Sequence, residues 1–140
     1  MTLDQAIKSL RERNEEVPIP LRLPTSAEVA AAEQELRTTF HSDFKRYLLE
    51  ASDIVFGALE PVTITDEESH THLPEVARAA WQDMDLPRHL LPLCEDNGDY
   101  YCIDKSGEIL FWSHNDGAIT DRWKNLATWI EEVWIGENED

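Results

Sequence analysis

The sequence predicts an α+β fold: a mostly antiparallel sheet flanked by helices, with helices toward the N-terminus and a closing C-terminal helix. Three observations carry this expectation. Apolar residues recur at helical spacing up to Ala51. Three short runs rich in aromatic or branched residues follow from Leu90, separated by Asp96-Asn97-Gly98 and by Asp104-Lys105-Ser106-Gly107. Leu126, Trp129, Ile130, Val133 and Trp134 then stand at i, i+3, i+4, i+7 and i+8.

In chain order, Leu3, Ala6, Ile7 and Leu10 lie on one face of an amphipathic helix ending near Asn14, with Asp4, Lys8, Arg11 and Glu12 on the others. Pro18, Pro20 and Pro24 each remove a backbone donor and push the preceding residue toward extended geometry, so residues 17–24 read as an ordered linker or edge-type extension. Thr25-Ser26-Ala27-Glu28 has the form of a capping box and starts a second helix. Its stripe is Val29, Ala32, Glu33, Leu36 and Phe40, in which only Glu33 is polar. Ser42 or Asp43 then caps a third helix with Phe44, Tyr47 and Leu48 on one side, closing near Ala51.

Residues 54–64 contain Gly57 and Pro61 and read as irregular strand or edge structure, since proline cannot donate to a central ladder. Pro74 suits the first turn of a fourth helix, whose apolar face is Val76, Ala77, Ala80, Trp81 and Met84. Residues 90–94, 100–103 and 109–112 form a three-stranded antiparallel meander. The second and third runs do not alternate with polar residues, so both faces of the sheet should be covered, one of them by the final helix that Gly136 ends. A two-residue turn at Asn97-Gly98 pairs Cys94 with Tyr101 and Leu93 with Cys102, placing the thiols on opposite faces; a turn one residue longer would bring them together.

A chain of 140 residues suggests one domain over 1–140, with 1–23 as N-terminal helix and proline-rich extension and 24–135 as core. Its 41% hydrophobic content and five tryptophans suffice for a core despite the charge. Twenty-nine acidic residues against 12 basic give a net charge of −17, which repels nucleic acid and attracts a basic protein surface. No stretch approaches a membrane span and the start lacks a secretory pattern, so the chain reads as cytoplasmic, with Cys94 and Cys102 as reduced core residues.

No catalytic, metal or cofactor site emerges. Residues 66–72 gather three carboxylates with His70 and His72, yet their spacing fits no established metal site, and a solvated loop explains them. Residues 96–99 offer oxygen ligands, but turn chemistry accounts for them. Cys94 or Cys102 as nucleophile, with His89, His114 or His41 as base, competes with the commoner role of buried free cysteine. Trp129, mid-stripe, reads as core, and Trp134 at the helix end is more open to exposure. Charge and loop placement nominate Asp66, Glu67, Glu68, Asp96 and Asp99 as contacts to a basic partner.

Residues 44–49, 97–104 with Gly107, and 109–114 resemble the SUKH superfamily, which takes in fungal cell-wall synthesis regulators and bacterial immunity proteins. The Gly98-Asp99-Tyr100-Tyr101-Cys102-Ile103-Asp104 strand and the Phe111-Trp112-Ser113-His114 strand after it are its most specific part, and the likeness runs from about Pro24 to Trp134. His41-Ser42 and Ala51-Ser52-Asp53 depart from the Leu-Pro and Asn-Gly-Gly that members often show around the third helix. The resemblance implies an α+β fold, no catalytic residues, and binding of a protein toxin inside the producing cell; it carries over no set of binding residues. A regulatory adaptor for a host protein is the alternative, and a small metal-dependent or cysteine hydrolase a more distant one.

Overall fold

Two threonines open the first two helices by the same device. In the computed structural model, which describes residues 1–138, Thr2 Oγ1 accepts from the Gln5 amide while Gln5 reaches back to the Thr2 amide, starting α1 (Leu3–Glu12). Thr25 and Glu28 do the same for α2 (Ser26–Leu36), as the capping box predicts. Arg22 adds a bidentate pair to Glu28 at 2.8 and 2.6 Å, and this guanidinium holds the carboxyl down at about 2.

The α2 helix ends on Arg37, whose φ of 52° lies in the left-handed region where glycine is usual. The helix α3 (Ser42–Ala51) is capped by His41 and not by Ser42 or Asp43, because the His41 Nδ1 accepts from the Asp43 amide at 3.0 Å. Glu33 ties the two helices together: its carboxylate accepts from the Phe40 amide at 2.8 Å and meets Lys45 at 3.5 Å.

Residues 54–64 stay irregular, as Gly57 and Pro61 suggest. The Val62 amide donates to the Leu93 carbonyl at 2.9 Å, and Thr63 forms an isolated bridge with His72. Pro74 lies in the first turn of α4 (Leu73–Arg78). Beyond Arg78 the helix widens into a π-helical stretch, Ala79–Asp83, and α5 (Leu126–Trp129) likewise continues as a π-helix over Ile130–Ile135. The Met84 amide reaches back five residues to the Ala79 carbonyl at 3.1 Å, and Gly136 to Glu131 at 3.0 Å.

The sheet has four strands in sequence order, all antiparallel: β1 (Leu91–Asp96), β2 (Asp99–Ile103), β3 (Ile109–Ser113) and β4 (Ala118–Trp123). The first three are the expected meander, and β4 extends it. In β4 only Ile119 and Trp123 are partly buried, so this edge strand lacks the apolar run that marks the others. Asn97 and Gly98 take φ values of 53° and 92°, as a two-residue hairpin turn requires. Cys94 pairs with Tyr101 as expected, but a bulge leaves Leu93 unpaired and sets Pro92 opposite Cys102. The thiols nonetheless face opposite sides, one in each hydrophobic cluster, and both are free.

On one face of the sheet the larger cluster joins Ala6, Ile7 and Leu10 of α1 to residues of α2, α3 and α5. A file of rings runs through it, Phe40, Phe44, Tyr47, Trp134, Trp129 and Tyr101, with successive centroids 5.1, 6.1, 6.3, 6.0 and 5.3 Å apart. Trp129 is core, as its mid-stripe position predicts. Trp134 departs from expectation: it is fully buried, because the segment after α3 covers the helix end and the Phe56 carbonyl accepts from its Nε1 at 3.0 Å. The other face packs Tyr100, Cys102, Leu110 and Trp112 against Ala80, Leu86 and Leu90, so both faces are covered.

Candidate functional site

The residues after Gly57, the first half of α4 and the β1–β2 turn enclose a groove of about 550 Å³. Leu59, Val62, Val76, Ala79 and Tyr100 supply its apolar lining, and Glu60, Glu75, Glu95 and Asp96 bring carboxylates to it. No lysine or arginine lines it. The connection to α4 is held by a chain of hydroxyls, with Ser69 Oγ 2.7 Å and Thr63 Oγ1 2.8 Å from Thr71 Oγ1. Glu60 meets the His70 Nε2 at 2.8 Å, Glu75 pairs with Arg78 at 2.9 Å, and Glu95 accepts from the Gly98 amide at 2.7 Å. Tyr100 is buried beside them, and desolvation pushes its phenol above the ordinary value.

The nominated acidic residues fall at different distances from this groove. Asp96 lines it. Asp66, Glu67 and Glu68 are exposed on the loop that sends residues 69–71 into the lining, and Asp66 braces that loop by accepting from the Glu68 amide at 3.0 Å. Asp99 stands outside the lining: one carboxylate oxygen accepts from the His114 amide at 2.9 Å and meets His114 Nδ1 at 2.6 Å. The backbone bond foremost, these contacts hold its carboxyl below the usual range. Glu60, Glu75 and Glu95 are the lining acids that sequence reasoning missed; only Glu95, beside Asp96, had a local signal.

Burial pushes the Cys94 thiol up to about 12, and burial also raises Cys102, so neither supplies a thiolate near neutral pH. Among the described residues no three His, Cys, Asp or Glu side chains are placed to hold a metal ion. None of the described helices is long and apolar enough to cross a membrane.

A family model described as "SUKH_5: SMI1-KNR4 cell-wall" matches residues 3–135. The chain belongs to the SUKH family. That match bears out the resemblance carried by the β2 and β3 motifs, and it reaches back through α1 as well. A solved structure described as "Crystal structure of protein from Pseudomonas syringae pv. tomato" is 44% identical, with a TM-score of 0.88 over 94% of this chain and 97% of that one. Among curated proteins none matches. SUKH proteins are known for immunity and regulatory roles, are associated with protein–protein interactions and are generally non-enzymatic.

Proposed function

We infer that this SUKH protein is a single-domain, non-catalytic binding module that acts in the cytoplasm of the producing cell by docking a basic protein, as an immunity-type neutraliser of a toxin domain. The observation that supports this reading is the groove: four carboxylates from three separate segments converge on an apolar lining that holds no lysine or arginine. A lysine or arginine of the partner lays its aliphatic stem along Leu59, Val76 and Ala79, the half-buried part of the lining, and sets its cationic head among Glu60, Glu75, Glu95 and Asp96. The net charge of −17 steers the basic partner in from a distance.

The test is calorimetric titration, for stoichiometry and affinity, and stopped-flow mixing, for the association rate, of the full chain with a toxin domain of net positive charge, and with an oligolysine peptide as generic probe. The toxin domain should form an equimolar complex whose association slows as salt rises, and the E60Q/E75Q/E95Q/D96N variant should bind both ligands about tenfold or more weakly. An association rate indifferent to salt, or a variant that binds as the parent does, would count against the groove.

A further inference from the structure

Six of the twelve lysines and arginines form ion pairs with carboxylates among the described residues. Arg11 meets Asp53, Arg22 meets Glu28, Lys45 meets Glu33, Arg46 meets Asp4 and Glu50, Arg78 meets Glu35 and Glu75, and Arg122 meets Glu108. Lys8, Arg37, Arg88, Lys105 and Lys124 have no such pair among the described residues, and three of these five, Arg37, Arg88 and Lys105, line one cleft of about 650 Å³ together with His41 and His89. The sole carboxylate in that lining, Asp104, is committed to its own turn: one oxygen accepts from Ser106 N at 2.9 Å, Ser106 Oγ at 2.6 Å and Glu108 N at 3.1 Å.

The cleft is held in shape before any ligand arrives. The Arg88 guanidinium stacks 3.8 Å from the Trp81 ring centroid, donates to Thr38 Oγ1 at 2.9 Å and donates to the Leu36 carbonyl at the end of α2. His41 is fixed from two sides, by the Asp43 amide on Nδ1 and by Gly107, where an added Cβ would come within 2.6 Å of Nε2. Arg37 sits at a left-handed position that a glycine would fill without strain. Arg88 is thus partly spent on capping α2, while the exposed Arg37 and Lys105 are open to a ligand.

The geometry points to this cleft as a receptor for an aspartate- or glutamate-bearing segment of the protein partner, an inference that rests on the binding-module reading above. A free small anion is repelled at long range by a molecule of charge −17. A carboxylate carried on an otherwise basic protein is brought in by the rest of that protein, and within a Debye length the local cations take over. Guanidinium and ammonium groups then give it charge-assisted hydrogen bonds. The cleft also rejects a uniformly cationic surface by like-charge contact, so it selects among basic partners the one with an acidic residue in register.

The test is an amide-resolved NMR titration of the full chain at about 0.15 M salt, where a screening length of about 8 Å removes the long-range repulsion and leaves the local cations to act, with an oligoglutamate peptide, with inorganic phosphate at matched ionic strength, and with an oligolysine peptide. Oligoglutamate should shift the amides of Thr38, Thr39, His41 and Lys105, and the R37G/K105S variant should bind it about tenfold or more weakly while its melting temperature does not fall. Oligolysine binding, which reports the acidic groove, should be unchanged in that variant, so loss of that signal alone in the parent would sink the groove and not the cleft. Absence of the oligoglutamate shifts, shifts that persist in R37G/K105S, or phosphate binding as tightly as oligoglutamate would overturn the proposal.

Discussion

The two faces of the sheet are covered to different depths. On one, Tyr47, Trp129 and Trp134 are wholly buried in a single file of rings fed by α3 and the closing helix. On the other, the cover is the π-helical stretch after α4 and the residues that follow it, leaving Trp81, Met84 and Ile119 partly exposed. The acidic groove opens beside Tyr100, on this second, thinner side. Full enclosure and access to a partner are divided between the faces, so substitutions should separate them.

The largest expected effect is on the enclosed face. Trp129→Ala or Trp134→Ala should destabilise by about 3–5 kcal/mol, seen as a lower urea midpoint at constant slope. Trp81→Ala, which loses the hydrogen bond from its Nε1 to the Leu90 carbonyl and the stack of Arg88, should cost about 1–2 kcal/mol. Equal losses at Trp81 and Trp129 would erase the distinction between the faces.

Each face also holds one thiol, which offers a second probe. Burial raises Cys94 from the ordinary 9 to about 12 and raises Cys102 in the same direction. A thiol whose folded value lies above its unfolded one favours the fold fully below about 9, and that contribution is lost as pH climbs toward the folded value. Stability should therefore be insensitive to the thiols at neutral pH and fall above about 9, with Cys94→Ala shallower in that range; a thiol reagent at neutral pH should label either residue only through unfolding.

Smaller effects sharpen the assignment of charges. Asp99→Asn loosens the bridge to His114 and should lower stability by about 1 kcal/mol, with partner affinity little changed. Neutralising Asp66, Glu67 and Glu68 together should leave stability alone and slow association with a basic partner severalfold with little change in dissociation, as rim charges do. A change confined to the dissociation rate would instead place those three residues inside the contact.

What the sequence revealed follows where apolar pattern was strong. The stripes of α1 and α3, that of α2 as far as Leu36, the capping box at Thr25 and the runs of β1 to β3 are local signals, and the fold preserved them; Phe40, expected on the α2 stripe, is buried beyond the helix end because the chain turns at Arg37. Strand β4 was illegible because Thr120, Asp121 and Arg122 are consecutive, polar and exposed at the sheet's edge, indistinguishable from a loop by hydropathy. The π-helical stretches left no mark, since residues at three and four steps still fall on one side. The burial of Trp134 left no local signal because its cover, Phe56, lies 78 positions away in the chain. The acidic groove was half legible: Asp96 stood out in a turn, whereas Glu60 and Glu75 acquire meaning only when the chain folds them together.

The two outer strand pairings each carry a bulge, at Leu93 between β1 and β2 and at Thr120 between β3 and β4, while the inner β2–β3 pairing is regular. The free side of β1 is engaged by Val62, and the free side of β4 carries charged residues. Such margins are poor templates for another extended chain, because a bulge breaks the repeat of donors and acceptors and charges resist being brought into line. The sheet therefore terminates itself at four strands, and its margins offer little purchase for a fifth, whether from this chain or from another copy of it.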